Sequence, residues 1–354
     1  MTSSHPRRFA LVGCGAISEL YYAPALVEVS KIIPLEMVAL YDPSPDRTAS
    51  LLRIFPNAKS VSNIEDLIAT SPDLAVVASP AKFHSSQAID LLSVGVHVLC
   101  EKPMASSVSE AESMIIAARR ANCVLAIGLF RRFFPALQTI KDIIDKGTLG
   151  PVRHFHFEEG GLFNWPAASA SFFQKNNSQG GVLLDLGVHL LDLICWWLGE
   201  PKSMLYEDDM IGNLEANCRL ILAYENGITG DIRMSRDTSC SNTYTIEFER
   251  GRIAWKVGES NQLKLYLNDL PFDFHSQLCK DNLPASNYNQ SFVRQILNFV
   301  SASMGLESVL VPGEEGIRSL KLIQQCYTHR TLMAMPWLTD LEIQGCSKPS
   351  AGES

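Results

Sequence analysis

The chain has 354 residues, 46% hydrophobic and 19% charged, a balance that excludes a disordered or fibrous protein and suits two domains of ordinary size. Its 30 basic and 38 acidic residues give a formal charge of -8 with no Lys/Arg run, which argues against nucleic acid and membrane surfaces as partners. Nine cysteines, none in a CxxC pair, offer neither a disulfide framework nor a zinc site and fit reduced thiols in the cytoplasm.

The chain opens with "MTSSHPRRFALVG", in which two arginines precede an apolar stretch. "FALVG" is too short for the apolar region of an export signal and reads as a first strand. It runs into Gly13-x-Gly15-x-x-Ser18, with Ala16 and Ile17 inside the motif, and then into helical spacing through Tyr22, Leu26 and Val29. The apolar runs "LEMVALYD", "DLAVVASP", "VHVLCEKP" and "CVLAIGL" follow, separated by "DRTASLLRIF", "NIEDLIAT", "HSSQAIDLLSVG" and "SVSEAESMIIAARRA". Continuous apolar strands alternating with amphipathic helices predict a doubly wound parallel sheet over residues 1–130.

Within that fold the glycine motif predicts a dinucleotide site. Gly13 and Gly15 let the backbone approach a pyrophosphate, and the helix N-terminus stabilises its charge. Asp42, closing the second strand, suits a ribose 2′-hydroxyl and predicts NAD. Arg47, five residues on, would accommodate NADP by pairing with its 2′-phosphate. The strand "VHVLCEKP" ends in Glu101, Lys102 and Pro103, at the sheet edge where ligands bind, and Pro103 suits a cis bond. On position alone, a solvated lysine capping the strand accounts for Lys102 equally well.

The segment "GGVLLDLGVHLLDLICWWLGE", residues 180–200, is nearly all apolar yet carries Asp185, His189 and Asp192. On one α-helix these fall at i, i+4 and i+7, a polar stripe on an otherwise buried helix. The charges and glycines argue against a membrane span. Buried Asp–His pairs can simply satisfy each other in a core, but with a nucleotide fold upstream the stripe reads as an active-site wall. Asp192, a turn further on, is expected to orient His189 or to make a neighbouring domain contact.

The order of "SPAKFHSSQAIDLLSVGVHVLCEKPMA" resembles the nucleotide-domain signature of the Gfo/Idh/MocA family, the glucose–fructose oxidoreductase and inositol dehydrogenase group. "GLFRRFFPALQTIKDIIDKGTLGPVRHFHF" resembles that family's link into its second domain, and residues 180–200 resemble its active-site helix. The resemblance runs from about residue 8 to about residue 335. Ala81 stands where the family often has Asn, and Gln179-Gly180-Gly181 where three glycines are usual. The resemblance implies Ser79, Pro80, His84, Glu101 and Lys102 at the cofactor. It also implies catalytic roles for Lys102, Asp185 and His189.

Those three residue types suit hydride transfer. A histidine can take and return a hydroxyl proton, an ammonium stabilises a developing alkoxide, and a carboxylate orients a polyol. From "GPVRHFHFEEG" onward the pattern alternates. Asn226-Gly227 marks one hairpin and Gly251 another, predicting a mostly antiparallel, open-faced sheet in a second α+β domain over 131–337. Its open face is expected to be partly apolar and to form a homodimer or homotetramer. Two helices, about 288–304 and 313–332, are expected to pack against the sheet or the domain seam, and residues 338–354 read as a disordered tail.

The loop "LFNWPAASASFFQKNNSQ" leads into the active-site helix, and its aromatic and amide residues suit a sugar. Arg131, Asn164, Trp165 and Lys175, with Lys102, Asp185 and His189, are the expected substrate contacts, and no metal site is expected. The expected activity is an NAD(P)-dependent oxidoreductase acting on a secondary alcohol or ketone of a sugar, polyol or derivative. Two alternatives stay open: an NAD-dependent glycosidase working by transient oxidation and elimination, and a non-catalytic dinucleotide-binding regulator.

Overall fold

The computed structural model describes residues 5–164, 166, 180–211, 214–268, 270, 273–277 and 287–334. In the N-terminal part, β1 (Arg7–Val12), β2 (Leu35–Tyr41), β3 (Lys59–Val61), β4 (Leu74–Val77), β5 (His97–Cys100) and β6 (Leu125–Ile127) form one parallel sheet in the order β3-β2-β1-β4-β5-β6. Between them run α1 (Ala23–Ser30), α2 (Pro45–Leu52), α3 (Ile64–Ala69), α4 (His84–Ser93) and α5 (Val108–Ala121). Phe9 to Val12 and Leu74 to Val77 are fully buried. Helices cover both faces, so these strands have no polar side to alternate with.

Strand order reverses between β1 and β4, and this opens a crevice at their carboxyl ends. The three-residue edge strand β3, Lys-Ser-Val, was not anticipated, being too short and polar to show a strand pattern. The helix expected straight after the glycine turn begins instead as a π-turn, Ser18–Tyr22, before α1.

α6 (Pro135–Asp145) leads into β7 (Val152–Gly160) of the second sheet, whose remaining strands are β8 (Ser203–Asp208), β9 (Asn217–Ala223), β10 (Thr229–Ser235), β11 (Thr243–Phe248), β12 (Gly251–Lys256), β13 (Gln262–Leu267), β14 (Asp273–Gln277) and β15 (Thr331–Leu332). Their order is β14-β13-β12-β11-β7-β10-β9-β8-β15, antiparallel except for the β7–β10 and β8–β15 pairs. Gly227, at φ +83°, turns the β9–β10 hairpin where Asn226-Gly227 predicts it. Gly251 lies inside β12 rather than in its turn. A Cβ there would stand 2.3 Å from the Tyr266 carbonyl oxygen, so strand approach requires the glycine.

The buried face of this sheet carries Phe155, Phe157, Leu220, Ile232, Tyr244 and Trp255. Opposite them is α7 (Val188–Leu198), buried along nearly its whole length. The open face is mixed, partly apolar and partly charged. Leu205 and Ile221 are exposed there among His154, His156, Arg219, Asp231, Arg233, Glu247 and Arg252.

α8 (Tyr288–Ser303) packs on α1 of the first sheet's layer, with Phe292 stacked at 4.9 Å on Tyr21 and on Phe130. α9 (Gly313–Thr328) packs against α5 and α7, and ends four residues before the expected 332, where the chain enters β15. The expected 338–354 tail lies outside the described residues. Among the described residues no helix is long and apolar enough to cross a membrane.

Candidate active site

The crevice above β1 and β4 is built by close backbone approach. Gly13 has φ +87°, and a Cβ on it would stand 2.5 Å from the Ser79 nitrogen across the crevice. Ser18, the unusual third residue of the glycine motif, is fully buried, and its hydroxyl donates to the Gly13 carbonyl at 2.5 Å, closing the turn. Around Gly15 nothing lies within 4 Å of where a Cβ would be. The turn is therefore tight on its inner side and open on its outer side, as a pyrophosphate cradle must be.

Asp42 is buried beside this turn. Its carboxylate accepts from the Cys14 N–H and the Ser44 N–H, both at 2.9 Å, and Arg47 stands 3.8 Å away. The residues fit a dinucleotide: Gly13, Gly15, Ala16 and Ile17 would hold it at the turn, Asp42 would meet the ribose, and Ser79, Glu101 and Lys102 would line the reacting end. Pro80 is exposed just past Ser79. His84 is buried behind that loop, its ring nitrogens 2.7 Å from the Ser79 carbonyl and 2.9 Å from the Pro103 carbonyl. Burial lowers the His84 pKa, with the two carbonyls opposing. His84 thus braces the two loops against each other.

β5 delivers Glu101 and Lys102 to the crevice, and the Lys102–Pro103 bond is cis, as expected. Glu101 accepts from the Tyr22 hydroxyl at 2.6 Å and from the Lys102 N–H at 2.9 Å. Burial raises its pKa, opposed by Tyr22 and Lys102. The Lys102 ammonium donates to the Asp185 carbonyl at 2.9 Å and to its carboxylate at 3.1 Å. Burial brings the Lys102 pKa down to about 8; Glu101 opposes this, while Arg236 and Arg131 add to it.

The active-site helix departs from the expected straight α-helix. Residues Leu183–Gly187 form a π-turn, and only Val188–Leu198 is α-helical. Asp185 lies in the π-turn, whereas His189 and Asp192 share the α-helical part. Asp185 and His189 face the cavity, whereas Asp192 points away from it. Asp192 forms a fully buried pair with Arg132, at 2.6 and 2.9 Å, and Arg132 also reaches Glu315 of α9. Of the two expected roles for Asp192, the neighbouring contact is the one observed, not the orientation of His189.

The glycines that start this helix are dictated by packing. A Cβ on Gly181 would stand 2.0 Å from the Glu215 carbonyl oxygen, and one on Gly180 2.2 Å from the Tyr327 hydroxyl. The Glu215 carboxylate accepts from the Gly181 and Leu183 N–H groups and from Tyr327, so it caps the helix start with negative charge.

Lys102, Asp185 and His189 line one cavity of about 310 Å³ together with Ser79, Glu101, Arg131 and Asn164. Phe130, Tyr288 and Phe292 supply its apolar wall. His189 is 6% exposed, and among the described residues its Nδ1 has no hydrogen-bond partner. Burial, reinforced by Lys102 and Arg131, holds its pKa well below the ordinary histidine value, so the imidazole is neutral at pH 7.

Arg131 reaches the cavity wall, but its guanidinium is held by Glu159 at 2.6 and 2.8 Å and donates to Tyr244 at 3.0 Å. Trp165 and Lys175 lie outside the described residues. Sequence reading missed Arg236, which follows β10, lines the cavity and pairs with the Asp185 carboxylate. It also missed Glu159 and Glu215. No spacing marks any of the three, because each meets its partner only across the fold.

Residues 7–129 match a family described as "Oxidoreductase family, NAD-binding Rossmann fold", and residues 137–254 match the "GFO/IDH/MocA C-terminal domain". The chain is 32% identical over 360 aligned positions to a glucose-6-phosphate 3-dehydrogenase of Bacillus subtilis (strain 168), covering 91% of this chain and 95% of that one. It is 31% identical over 205 positions to a D-glucoside 3-dehydrogenase of Escherichia coli (strain K12), covering 57% of this chain and 56% of that enzyme. Among solved structures, a levoglucosan dehydrogenase in complex with NADH and levoglucosan superposes with a TM-score of 0.82 at 18% identity, covering 92% of this chain and 97% of that one. At that identity the likeness speaks for the fold.

Proposed function

The chain belongs to the Gfo/Idh/MocA family of NAD-binding oxidoreductases, dehydrogenases and reductases of CH–OH groups, and from that premise we propose that it transfers hydride between NAD and a secondary alcohol of a sugar or polyol. The observation that carries the reading is the meeting of Lys102, Asp185 and His189 in one cavity at the carboxyl end of β5, beside a dinucleotide cradle.

The cradle residues Gly13 to Ile17, Asp42, Ser79 and Glu101 would hold the cofactor, whose nicotinamide supplies the hydride acceptor or donor when bound. In the oxidative direction the neutral imidazole of His189 takes the proton of the reacting hydroxyl, and in the reductive direction it returns that proton. The Lys102 ammonium, fixed by two bonds to Asp185, stabilises the charge that develops on the oxygen. Asp185 thereby positions Lys102 and offers an acceptor to a neighbouring hydroxyl. Phe130, Tyr288 and Phe292 limit water on one side, which strengthens these charge interactions.

The test is absorbance of the reduced nicotinamide with NAD and NADP across sugars, inositols and sugar acids, with aryl glycosides monitored for aglycone release. Cofactor reduction by any of the alcohols supports the reading. Aglycone release without net reduction overturns it in favour of a glycosidase. The homo-oligomer expected through the open sheet face is part of the proposal, resting on exposed Leu205 and Ile221, and a monomer in light scattering overturns that part.

A further inference from the structure

We infer that Arg236 forms an anion subsite, and that the preferred substrate is a sugar carrying a carboxylate or phosphate group on the side of the ring facing β10. The inference rests on the sugar-dehydrogenase reading and narrows its substrate class.

It follows first from a charge census of the cavity. Arg131 is neutralised by Glu159 in a closed, buried pair. Glu101 has both oxygens committed, one to Tyr22 and one to the Lys102 backbone. His189 is neutral. Lys102 and Arg236 share the carboxylate of Asp185, and Glu101 is a second carboxylate acting on Lys102. Arg236 therefore meets the substrate side of the cavity with a shared carboxylate partner, whereas Arg131 is held in a bidentate pair with Glu159, and a low-dielectric setting strengthens the pull of such a guanidinium on an anion.

The second observation is the state of the guanidinium itself. Arg236 contacts Asp185 through Nη2 alone. Among the described residues its Nε and Nη1 have no hydrogen-bond partner. The side chain is 29% exposed, so those N–H groups can be reached by a ligand. A guanidinium fork with donors to spare is the geometry that binds carboxylate or phosphate oxygens.

Its placement is also suited to the role. The guanidinium sits over the Phe163 ring at 5.5 Å, and the Phe163 N–H donates to the Arg236 carbonyl at 3.1 Å. That pairing fixes Arg236 to the segment that brings Asn164 into the cavity. Arg236 can hold Asp185 with one arm and a substrate anion with the others, while Lys102 attends to the reacting oxygen.

The experiment compares matched sugars, glucose with glucose 6-phosphate, glucose with glucuronate, and galactose with galacturonate. The proteins are wild type, Arg236→Gln and Arg236→Lys. The readout is the ratio of kcat/KM for the anionic sugar over its neutral partner, which a general loss of activity does not move.

Wild type is expected to favour an anionic partner by about tenfold or more, the usual scale for a charge-assisted bond. Arg236→Gln should bring the ratio close to one, and Arg236→Lys should give an intermediate value. A preference confined to acids or to phosphates supports the inference and names the group. A ratio near one in wild type, or one unchanged in Arg236→Gln, overturns it.

Calorimetric titration of the NAD-loaded protein with the same sugars reads the same ratio as affinities. If no sugar is oxidised, the hydride-transfer reading fails, while the titration still decides the anion subsite.

Discussion

Asp185 holds Lys102 twice, through its backbone carbonyl at 2.9 Å and its carboxylate at 3.1 Å, and so joins the end of β5 to the active-site helix. The ammonium is thereby fixed in place at a position where burial and two nearby guanidinium groups lower its pKa to about 8. In the proposed mechanism, the group that stabilises a developing alkoxide is then charged at neutral pH and close to its titration point.

The pH dependence follows with its sign. Burial, with the charges of Lys102 and Arg131, holds the His189 pKa well below the ordinary histidine value, so the base form is present across the neutral range. Lys102 is charged below about 8 and loses its charge above. In the oxidative direction kcat/KM is expected to be level from about pH 6.5 to 8 and to fall above it. A rate that instead climbs through pH 9 would make neutral Lys102 the base.

Replacing His189 by Ala should lower turnover by about 10²–10⁴-fold, the range for loss of a general acid/base, with cofactor affinity retained. Fluorescence titration with NADH separates the two effects. Near-normal turnover would remove His189 from the chemistry.

Two glycine substitutions should diverge. At Gly15 a new methyl meets nothing within 4 Å, so Gly15→Ala should leave the thermal midpoint unchanged and weaken NAD by filling the cradle. At Gly181 the methyl meets the Glu215 carbonyl at 2.0 Å, so Gly181→Ala should cost about 1–3 kcal/mol of stability and lower kcat by shifting the helix start. Thermal unfolding with NAD titration checks both. Equal NAD affinity in wild type and Gly15→Ala would move the cofactor away from this turn.

Asp192→Ala leaves Arg132 buried without its main partner and should cost about 3–5 kcal/mol, read by denaturant unfolding. Because Asp192 does not face the cavity, the pH profile of the folded enzyme should keep its shape. A shifted acid limb would mean that Asp192 does tune His189.

Asp42→Ala should weaken NAD relative to NADP, since it removes the acid expected at the ribose and leaves Arg47 alone beside it. The ratio of the two kcat/KM values measures this. An unchanged ratio would place Asp42 solely as a brace for the Cys14 and Ser44 backbone.

Much of this molecule is written locally. Buried parallel strands are apolar runs because both faces are covered, and the glycine turn, the Asn226-Gly227 hairpin and the Glu101-Lys102-Pro103 strand end are contiguous signals. So the two-sheet architecture was legible from the chain alone, as were Lys102, Asp185 and His189 as candidates, which the fold brings to one cavity. Tertiary structure decided the pairing of charges. Asp192 meets Arg132 across 60 residues, Arg236 meets Asp185 across 51, and Glu215 reaches back to cap Gly181 across 34. The helical period predicted one stripe of Asp185, His189 and Asp192, but Asp192 turns to a buried pair with Arg132, a partner that spacing does not encode. Residue type and local period determine which groups are available for chemistry. Which partner each one takes depends on distances of a few ångströms between segments remote in sequence, and these exist only once the sheets have packed.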